Sequence, residues 1–472
     1  MYGEKFKNCT IAVALLTLLL AGCAPGRNYK RPDLGVPAQY SVTSAADSSL
    51  ATQSWKEFFR DETLSQLIDR AMKNNFDLQL AIKRIEASRS YAKQAKAAWL
   101  PALNAQASAS TNIPSENSLN GISLENFLQT SHIEDYTLAA TLSWEVDIWG
   151  KIRRQKEAAL ASYLETQEAA RAVQTTIVEE VAIGYYTLLM LDAQLRIAQR
   201  NVLLSDSTVQ MMRLQKNAGL VTELAVHGTV AQLQNAQILV PQLEQAIILQ
   251  ENALRLLLGD WPGSVIRSVT LDNLPVQDSL PAGIPADLLR LRPDVRASEM
   301  ALVAANARVG VTQGNMYPSL NITATGGLNA FQASNWFTMP ASLFGIVSGS
   351  LAQPIFQRRM LKTQLEVASV EREERVIEFR QSLMRAAHEV TNSLAKLDKL
   401  ELQQQIATAR VETLEQAVEN SQLLFRSGMA DYLEVISAQS RALQAELDEA
   451  DILRQRLGAR VELYKSLGGG WR

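Results

Sequence analysis

The sequence has little cysteine and little histidine, and beyond its first two dozen residues it has no long apolar run. Of the two cysteines in 472 residues, Cys9 lies within the N-terminal apolar stretch and Cys23 follows it. The three histidines, His132, His227 and His388, lack the spacing of a metal-ligand motif. No GxSxG, HExxH, Walker or GxGxxG pattern occurs. The sequence therefore offers no support for a metal site, a cofactor site or an enzyme.

The N-terminus has the features of a cleaved secretory signal. Lys5 and Lys7 precede an apolar run from Ile11 to Leu20, which is too short to span a bilayer as a mature helix. The tetrad LAGC, residues 20–23, resembles the bacterial lipobox, so we expect residues 1–22 to be removed and Cys23 to carry diacylglycerol and N-palmitate. The alternative is an ordinary cleaved signal with an incidental cysteine.

Removal of that signal leaves an acidic chain without a usable thiol. The full sequence has a net charge of −3, and residues 1–22 contain two lysines and one acid, so the mature charge is −4. This balance argues against a nucleic-acid partner. With Cys23 acylated, no thiol remains for a disulfide, a cysteine-based metal site or a nucleophile. Composition thus favours a secreted or envelope protein that acts without bound cofactors.

The chain contains an internal duplication. Asp77, Pro101 and Leu103 in the first half match residues 294, 318 and 320 in the second, all at an offset of 217. The offset is 207 at Ile148, which matches Ile355, because the first half carries ten extra residues in a polar segment around 111–132. It then settles at 209. We expect the first repeat at 61–260, a linker at 261–285 and the second repeat at 286–472, preceded by a lipidated extended segment at 23–60.

Each repeat predicts a helix, two strands joined by a loop, and a long helical hairpin. The clearest strand signal is in YTLAATLSWEVDIW, residues 136–149, where apolar and polar residues alternate. We expect strands at about 102–112, 135–148, 319–331 and 342–354. About ten residues is the length that a tilted strand needs to cross a bilayer. A soluble sandwich would also alternate, so the strands alone leave this choice open.

A shared register in the long helices favours a helical tube. No proline occurs between residues 150 and 241, and apolar or small residues recur at steps of three and four in both repeats. Two unrelated core helices would not share such a register. We expect the helical hairpins at 150–258 and 357–467. The stripe comprises Leu188, Leu191, Leu195, Ala198, Val202, Ser205, Val209 and Met212 in the first repeat, and Leu397, Leu400, Gln404, Ala407, Val411, Leu414, Val418 and Ser421 in the second.

Glycines mark the ends of the long helices. Gly219 and Gly428 can adopt the left-handed conformation that terminates a helix, and Thr222 and Asp431 can cap the helices that return. Four strands per chain cannot close a barrel, and open edges cannot face lipid. Two copies would give a filled eight-stranded barrel, whereas three would give twelve strands and a lumen, so the sequence favours three or more copies.

Several segments resemble those of the outer membrane factor family, the TolC- and OprM-like (NodT-type) efflux lipoproteins. They are LRLRPDVRASEMALVAANARVGVTQGNMYPSLNITATGG, SGSLAQPIF, SWEVDIWGKIRRQKEAALASY and the two glycine turns. The resemblance covers nearly the whole mature chain. It implies a mixed α and β membrane protein: a homotrimer whose twelve-stranded transmembrane β-barrel continues into a long α-helical periplasmic tunnel.

The resemblance also implies partners and site residues. It implies an outer-membrane exit duct that passively conducts small molecules from an inner-membrane RND-type pump and a periplasmic adaptor. Its helical turns would form the periplasmic tip, with Glu434 and then Asp431 as gate candidates. Ser437 occupies a position that is often aspartate in relatives, which argues against two acidic rings, and Asp431 and Glu434 can also be read as a helix cap and a solvated acid. The tip or adaptor-contact residues would be Arg213, Gly219, Phe425, Arg426 and Gly428.

Other functions remain open at this point. The same fold could serve as a duct for type I protein secretion. A non-porous, lipid-anchored coiled-coil scaffold in the periplasm would have no use for lipid-facing strands. An enzyme is the third alternative, since missing motifs do not prove inactivity.

Overall fold

The computed structural model describes residues 26–37, 50–128, 130–274 and 283–472. Both cysteines and the expected signal segment lie outside the described residues. The described chain forms eight longer helices and four strands, together with several shorter helical turns. In chain order the longer elements are α1 Glu62–Asn74, α2 Phe76–Ala97, β1 Ala102–Asn112, α3 Leu119–Leu128, β2 Ile133–Val146, α4 Lys151–Asn217, α5 Glu223–Leu257, α6 Pro293–Gly314, β3 Ser319–Ala330, β4 Leu343–Ala352, α7 Met360–Arg426 and α8 Tyr432–Ser466.

The four strands form one antiparallel sheet in the order β1-β2-β3-β4. The central pair, β2 and β3, joins the two repeats, with Leu138 opposite Leu328 and Trp144 opposite Ile322. Within the described residues, β1 pairs only with β2, and β4 pairs only with β3. The sheet therefore has two edges whose backbone groups have no partner strand in the described chain.

The elements begin and end close to the ranges expected from the sequence, with three differences. The segment at 111–132, expected to be a loop, contains the ten-residue helix α3. Two helices, α1 and α2, precede β1 where one was expected, because the Asn75 side chain accepts hydrogen bonds from the backbone N–H groups of Asp77 and Leu78 and starts a new helix. The second long helix begins at Met360 rather than near 357, since Arg358 and Arg359 have positive φ angles of 48° and 68°.

The two repeats use the same helix lengths. Helices α4 and α7 have 67 residues each, about 100 Å at ~1.5 Å per residue, and α5 and α8 have 35 each. Every residue of the stripe is buried or half-buried in the described chain. The shared register expected from the sequence is therefore a packing register. Helix α5 continues through Pro241.

Backbone contacts divide the chain into two units. The sheet unit contains the described residues up to Pro32, Ala87–Leu164 and Met300–Ile377. The hairpin unit contains the described parts of Asp33–Glu86, Glu165–Glu299 and Glu378–Arg472. A core of the hairpin unit packs α4 against α5. Its buried members are Leu188, Leu191, Ala198, Leu243, Ile247, Leu254 and Val265.

Within the hairpin unit the duplication extends to single backbone contacts. Gly259 and Gly468 follow the two returning helices, and a Cβ at either would lie 2.5–2.6 Å from a backbone oxygen, that of Asn74 or that of Leu291. These two oxygens belong to equivalent residues at the offset of 217. Only glycine allows this close approach. In each repeat the end of the hairpin thus packs against the residues that precede the helix before the strands, α2 in the first repeat and α6 in the second.

The residue that follows each of these oxygens, Asn75 or Arg292, stabilises the same contact between the hairpin end and the preceding chain. Asn75 Nδ2 donates to the backbone oxygen of Leu257 at 3.0 Å, and Arg292 donates to that of Ser466 at 3.0 Å. Arg292 also pairs with Asp294 and Glu389, each at 2.6 Å. Burial alone would raise the pKa of Asp294, but the guanidinium of Arg292 outweighs it and holds that pKa below its usual value. The contact in the first repeat is therefore neutral, and the contact in the second repeat is ionic.

None of the helices in the described ranges has the length and apolar character needed to cross a lipid bilayer.

Candidate functional site at the two hairpin turns

The two hairpin turns have the same backbone geometry. Gly219 and Gly428 have φ angles of +73° and +75°. At the first turn the N–H of Gly219 donates to Lys216 O at 2.9 Å and the N–H of Leu220 donates to Gln215 O at 2.9 Å, and the second turn repeats both bonds through Gly428 and residue 429. This pair of hydrogen bonds is the Schellman motif, which requires a residue in the left-handed region. Both glycines are therefore structural requirements of the turns.

The caps that follow the turns differ. Thr222 Oγ1 accepts a hydrogen bond from the N–H of Ala225 at 3.3 Å and caps α5. Asp431 occupies the equivalent position before α8 with extended backbone angles, but its side chain makes no capping hydrogen bond. The cap expected at Thr222 is confirmed, whereas the carboxylate of Asp431 is left facing solvent.

A small apolar cluster joins the ends of all four long helices. We call it the tip cluster. Phe425 is its largest member and is only 7 % exposed. The resemblance implied that Phe425 belongs to the tip or the adaptor contact, and the structure buries its ring between the ends of the hairpins. The tip cluster comprises Met212 of α4, Ala225 and Val226 of α5, Phe425 of α7 and Val435 of α8.

An ion pair closes the first turn. Lys216 donates to the carboxylate of Glu223, and His227 Nε2 lies 3.6 Å from the same carboxylate. The hydrogen bond from Lys216 lowers the pKa of Glu223 below its ordinary value. At the offset of 209, Phe425 and Tyr432 occupy the positions of Lys216 and Glu223. The second turn therefore has aromatic residues where the first has a salt bridge.

The gate candidates and the basic tip residues lie on the surface. Glu434, Asp431, Arg213 and Arg426 are all exposed. The backbone N–H of Glu434 donates to Asp431 O at 3.1 Å, which places the two acids on the first turn of α8. These side chains are available to a neighbouring copy, an ion or a partner protein. Cys23, the expected lipid attachment residue, lies outside the described residues.

Exposed apolar residues surround both turns, and the sequence reasoning missed them. Leu220 and Leu224 at the first turn are 73 % and 75 % exposed, and Met429 and Leu433 at the second are 73 % and 57 % exposed. Leu220 is equivalent to Met429, and Leu224 to Leu433, at the offset of 209. Comparison of the two turn sequences could have revealed this pairing. Large apolar side chains repeated on a surface are typical of a protein contact.

The described residues contain no group of three or more His, Cys, Asp or Glu side chains arranged to hold a metal ion. The features that the turns offer are exposed acids, exposed bases and exposed apolar side chains on a rigid backbone. These features suit electrostatic selection and protein contact.

Comparison with known proteins shows the family. The sequence profile described as outer membrane efflux protein matches residues 67–260 and 284–469, which correspond to the two repeats. The antibiotic efflux pump outer membrane protein ArpC of Pseudomonas putida is 28 % identical over 469 residues, covering 98 % of this chain and 95 % of ArpC. The cation efflux system protein CusC of Escherichia coli is 27 % identical over 469 residues, covering 98 % and 99 %.

The fold agrees with that of a solved channel. The structure of the outer-membrane channel OprN superposes with a TM-score of 0.87 at 26 % identity, covering 95 % of this chain and all of that one. The relatives are outer-membrane components of efflux pumps, and the match extends over both repeats. The chain therefore belongs to the outer membrane efflux protein family and is an outer-membrane protein of an efflux system.

Proposed function

We propose that three copies of this chain form the passive exit duct of a tripartite efflux system. Each copy contributes four strands to a twelve-stranded barrel in the outer membrane and two hairpins to a helical tunnel in the periplasm. The duct receives small molecules from an inner-membrane RND-type pump through a periplasmic adaptor. The proposal assigns the chain no catalytic chemistry and no nucleic-acid partner.

The observation that carries the proposal is the pair of open edges on the sheet. Strands β1 to β4 are 10 to 14 residues long, which meets the ~9–11 residues that a tilted strand needs to cross the hydrocarbon layer. An unpaired backbone N–H or C=O in hydrocarbon costs several kcal/mol. Pairing the β4 edge of one copy with the β1 edge of the next removes this cost. Three copies also leave a lumen, whereas two would fill it with side chains.

A difference between equivalent helices also supports a neighbouring copy. In the sheet unit, Arg308 is the one exposed residue of α6 from residue 300 onward, and a Cβ on Gly314 would lie 3.0 Å from Lys151 of α4. The equivalent part of α2, from residue 83 to 97, has no buried residue. The two helices hold equivalent positions in the repeats. Helix α6 packs against other parts of the chain, whereas the equivalent surface of α2 stays exposed. In a ring of repeats, the second repeat of the adjacent copy packs against this exposed surface of α2.

The exposed residues of the two turns support contact with an adaptor that repeats six times around the same ring. Leu220 and Leu224 recur as Met429 and Leu433, so three copies present six similar apolar contacts in a ring. The exposed bases Arg213 and Arg426 and the two turn glycines lie beside them. We assign the adaptor contact to these residues and exclude Phe425 from it, because its ring is committed to the tip cluster.

Substrate selection is assigned to the pump and the adaptor. The names of ArpC and CusC refer to antibiotics in one case and cations in the other. Similar chains thus serve chemically different cargoes, which fits a duct that does not discriminate. The ring of Glu434, with Asp431 beside it, would set only a preference for cations at the closed tip.

Planar-bilayer conductance tests the duct and its gate together. The purified protein is expected to conduct ions and to prefer cations, and Glu434→Ala is expected to reduce that preference. The matched control is Glu412→Ala, which removes an exposed acid about four helical turns before the end of α7. Absence of conductance would refute the duct. Unchanged selectivity in the Glu434 variant alone would remove Glu434 from the gate.

The lipid at Cys23 has its own test. Cells fed radiolabelled palmitate are expected to label the wild-type chain and not the Cys23→Ser variant. Label that persists in the variant would refute attachment at Cys23. The lipid would tether each copy to the outer membrane in addition to the barrel.

A further inference from the structure

The first described residues, Gly26 to Asn28, lie against helices of the sheet unit. Gly26 has a φ of +84°, and a Cβ on it would lie only 2.7 Å from the Cα of Gly310 in α6. A Cβ on Gly310 would in turn lie 2.9 Å from Cγ of Arg154 in α4. Two glycines that are far apart in sequence thus bring the N-terminal backbone into direct contact with a helix.

Polar side chains hold the same three residues. Arg154 donates to Gly26 O at 3.2 Å and to Asn28 Oδ1 at 2.9 Å, and it also pairs with Glu157 at 2.6 Å. Asn306 Nδ2 donates to Arg27 O at 2.9 Å. Arg154 and Asn306 are only 8 % and 9 % exposed. A buried guanidinium that loses acceptors pays a desolvation penalty, so these contacts favour a seated N-terminal segment.

This seat has no counterpart in the other half of the duplication. At the offset of 209, Thr363 takes the place of Arg154. At the offset of 217, Lys93 and Arg89 take the places of Gly310 and Asn306. The glycine, the guanidinium and the amide therefore occur together only where the N-terminal segment lies. They are not a by-product of the repeated fold.

The seat lies next to the ends of the strands. Arg154 is on the first turn of α4, which begins five residues after β2 ends, and Gly310 is on the last turn of α6, which ends five residues before β3 begins. A Cβ on Gly314 meets Lys151 at 3.0 Å, so these two helix ends are in contact. The segment is thus seated at the junction where the chain passes between sheet and helices.

We propose that Arg154, Asn306 and Gly310 form a docking site for residues 26–28 that fixes the lipid attachment point at the sheet–helix junction. The lipid assignment itself rests on the proposed function. Three residues of chain reach at most about 11 Å, so a seated Gly26 keeps Cys23 within that distance of the junction. The acyl chains then enter the bilayer beside the barrel of the same copy.

Limited trypsin digestion of the detergent-solubilised full-length mature protein tests the docking. If residues 26–28 are docked, trypsin is expected to cleave after Arg27 and Lys30 only when the segment leaves the docking site, and mass spectrometry of the new N-termini at residues 28 and 31 gives the two rates. Arg154→Met is expected to raise both rates about tenfold or more, since it removes two hydrogen bonds to the segment. The matched control is Arg153→Met, which changes an exposed arginine on the same helical turn and should cleave at the wild-type rate.

A second variant separates docking from folding. Asn28→Ala removes one acceptor from the exposed segment and leaves both helices unchanged, and it should raise the rate of cleavage after Lys30. Wild-type rates in both Arg154→Met and Asn28→Ala would overturn the docking site. Protection is expected to persist in Cys23→Ser, because protein contacts alone form the seat. Rapid cleavage of that variant would overturn the docking as stated, whereas absence of palmitate label on the wild-type chain would refute only the lipid.

Discussion

The two hairpin turns share a backbone and differ in the side chains that stabilise it. At the first turn Lys216 and Glu223 form an exposed ion pair beside His227. At the second, the equivalent residues are Phe425 and Tyr432, and Phe425 lies in the tip cluster. An exposed ion pair contributes little to stability because water and salt screen it, whereas a buried ring stabilises the fold through the apolar area removed from water.

The difference indicates which part of the duplicated turn is constrained. The Schellman hydrogen bonds and the positive φ of the glycines recur in both turns because no other local backbone ends the helix in that way. The side chains one turn away were free to diverge. The tip therefore combines a polar hairpin end with an apolar one, and the apolar end joins the two hairpins.

Truncation at the two equivalent positions should give the largest contrast. Phe425→Ala is expected to destabilise the tip by about 3–5 kcal/mol, because it leaves a cavity among four helices. Lys216→Ala, its matched control at the first turn, removes only an exposed charge and should have little effect. Hydrogen exchange of the amides in α5 and α8 next to the turns measures both. Equal losses of amide protection in the two variants would contradict the claim that Phe425 contributes more to the stability of the tip than Lys216 does.

The glycines should give equal effects at the two turns. Gly219→Ala and Gly428→Ala each force an alanine into the left-handed region, at a cost of about 1–2 kcal/mol. Apart from the adjoining residues, no atom of the described ranges lies within 4 Å of the added Cβ at either position, so the penalty comes from the backbone alone. The same exchange measurement should show equal loss of protection at the two turns. A loss confined to one turn would show that the shared backbone geometry is not equally required.

The smallest effect is expected from Glu223→Gln, and it should be confined to the first turn. The pKa of Glu223 is lowered in the folded protein, so the contribution of the carboxylate is complete above its unfolded value, near 4.5, and is lost as the pH falls through the folded value. Amide exchange at residues 218–223 in the variant and the wild type, compared separately at neutral and at acidic pH, measures this. The difference should disappear at acidic pH or in high salt. A difference that survives both would indicate that the ion pair is not its source.

The sequence could predict the repeated parts of the fold because they follow local rules. Alternation marks strands, steps of three and four mark long helices, and glycine marks helix ends, so the duplicated register at an offset of 209 carried over into a duplicated structure. Helix α3 was missed because its segment, LNGISLENFL, lies within a longer polar stretch and has no counterpart in the second repeat. The break before α2 depends on a single capping residue, Asn75. An asparagine is equally common in loops, so the sequence alone does not identify it as the start of a new helix.

The site was only partly predictable. The turns, their glycines and the exposed acids follow from local sequence, but the burial of Phe425 depends on four helices that meet from distant parts of the chain. The seat of the N-terminal segment is also non-local, because Arg154 and Asn306 bind backbone oxygens that carry no side-chain signal. The paired apolar residues Leu220 and Met429 were visible in the sequence once the two turns were aligned.

Disulfide formation between the two sheet edges tests most directly the claim that several copies enclose one conduit. A cysteine at Ala105 of β1 is combined in turn with a cysteine at each of four neighbouring positions of β4, from Ile346 to Gly349, in a Cys23→Ser background. Within one chain, two strands separate these edges by about 14 Å, which is too far for a disulfide, so any bond must join two copies. The account predicts that at least one pair gives a covalent trimer on oxidation. A product that remains a monomer for all four pairs, in protein that conducts ions, would contradict it.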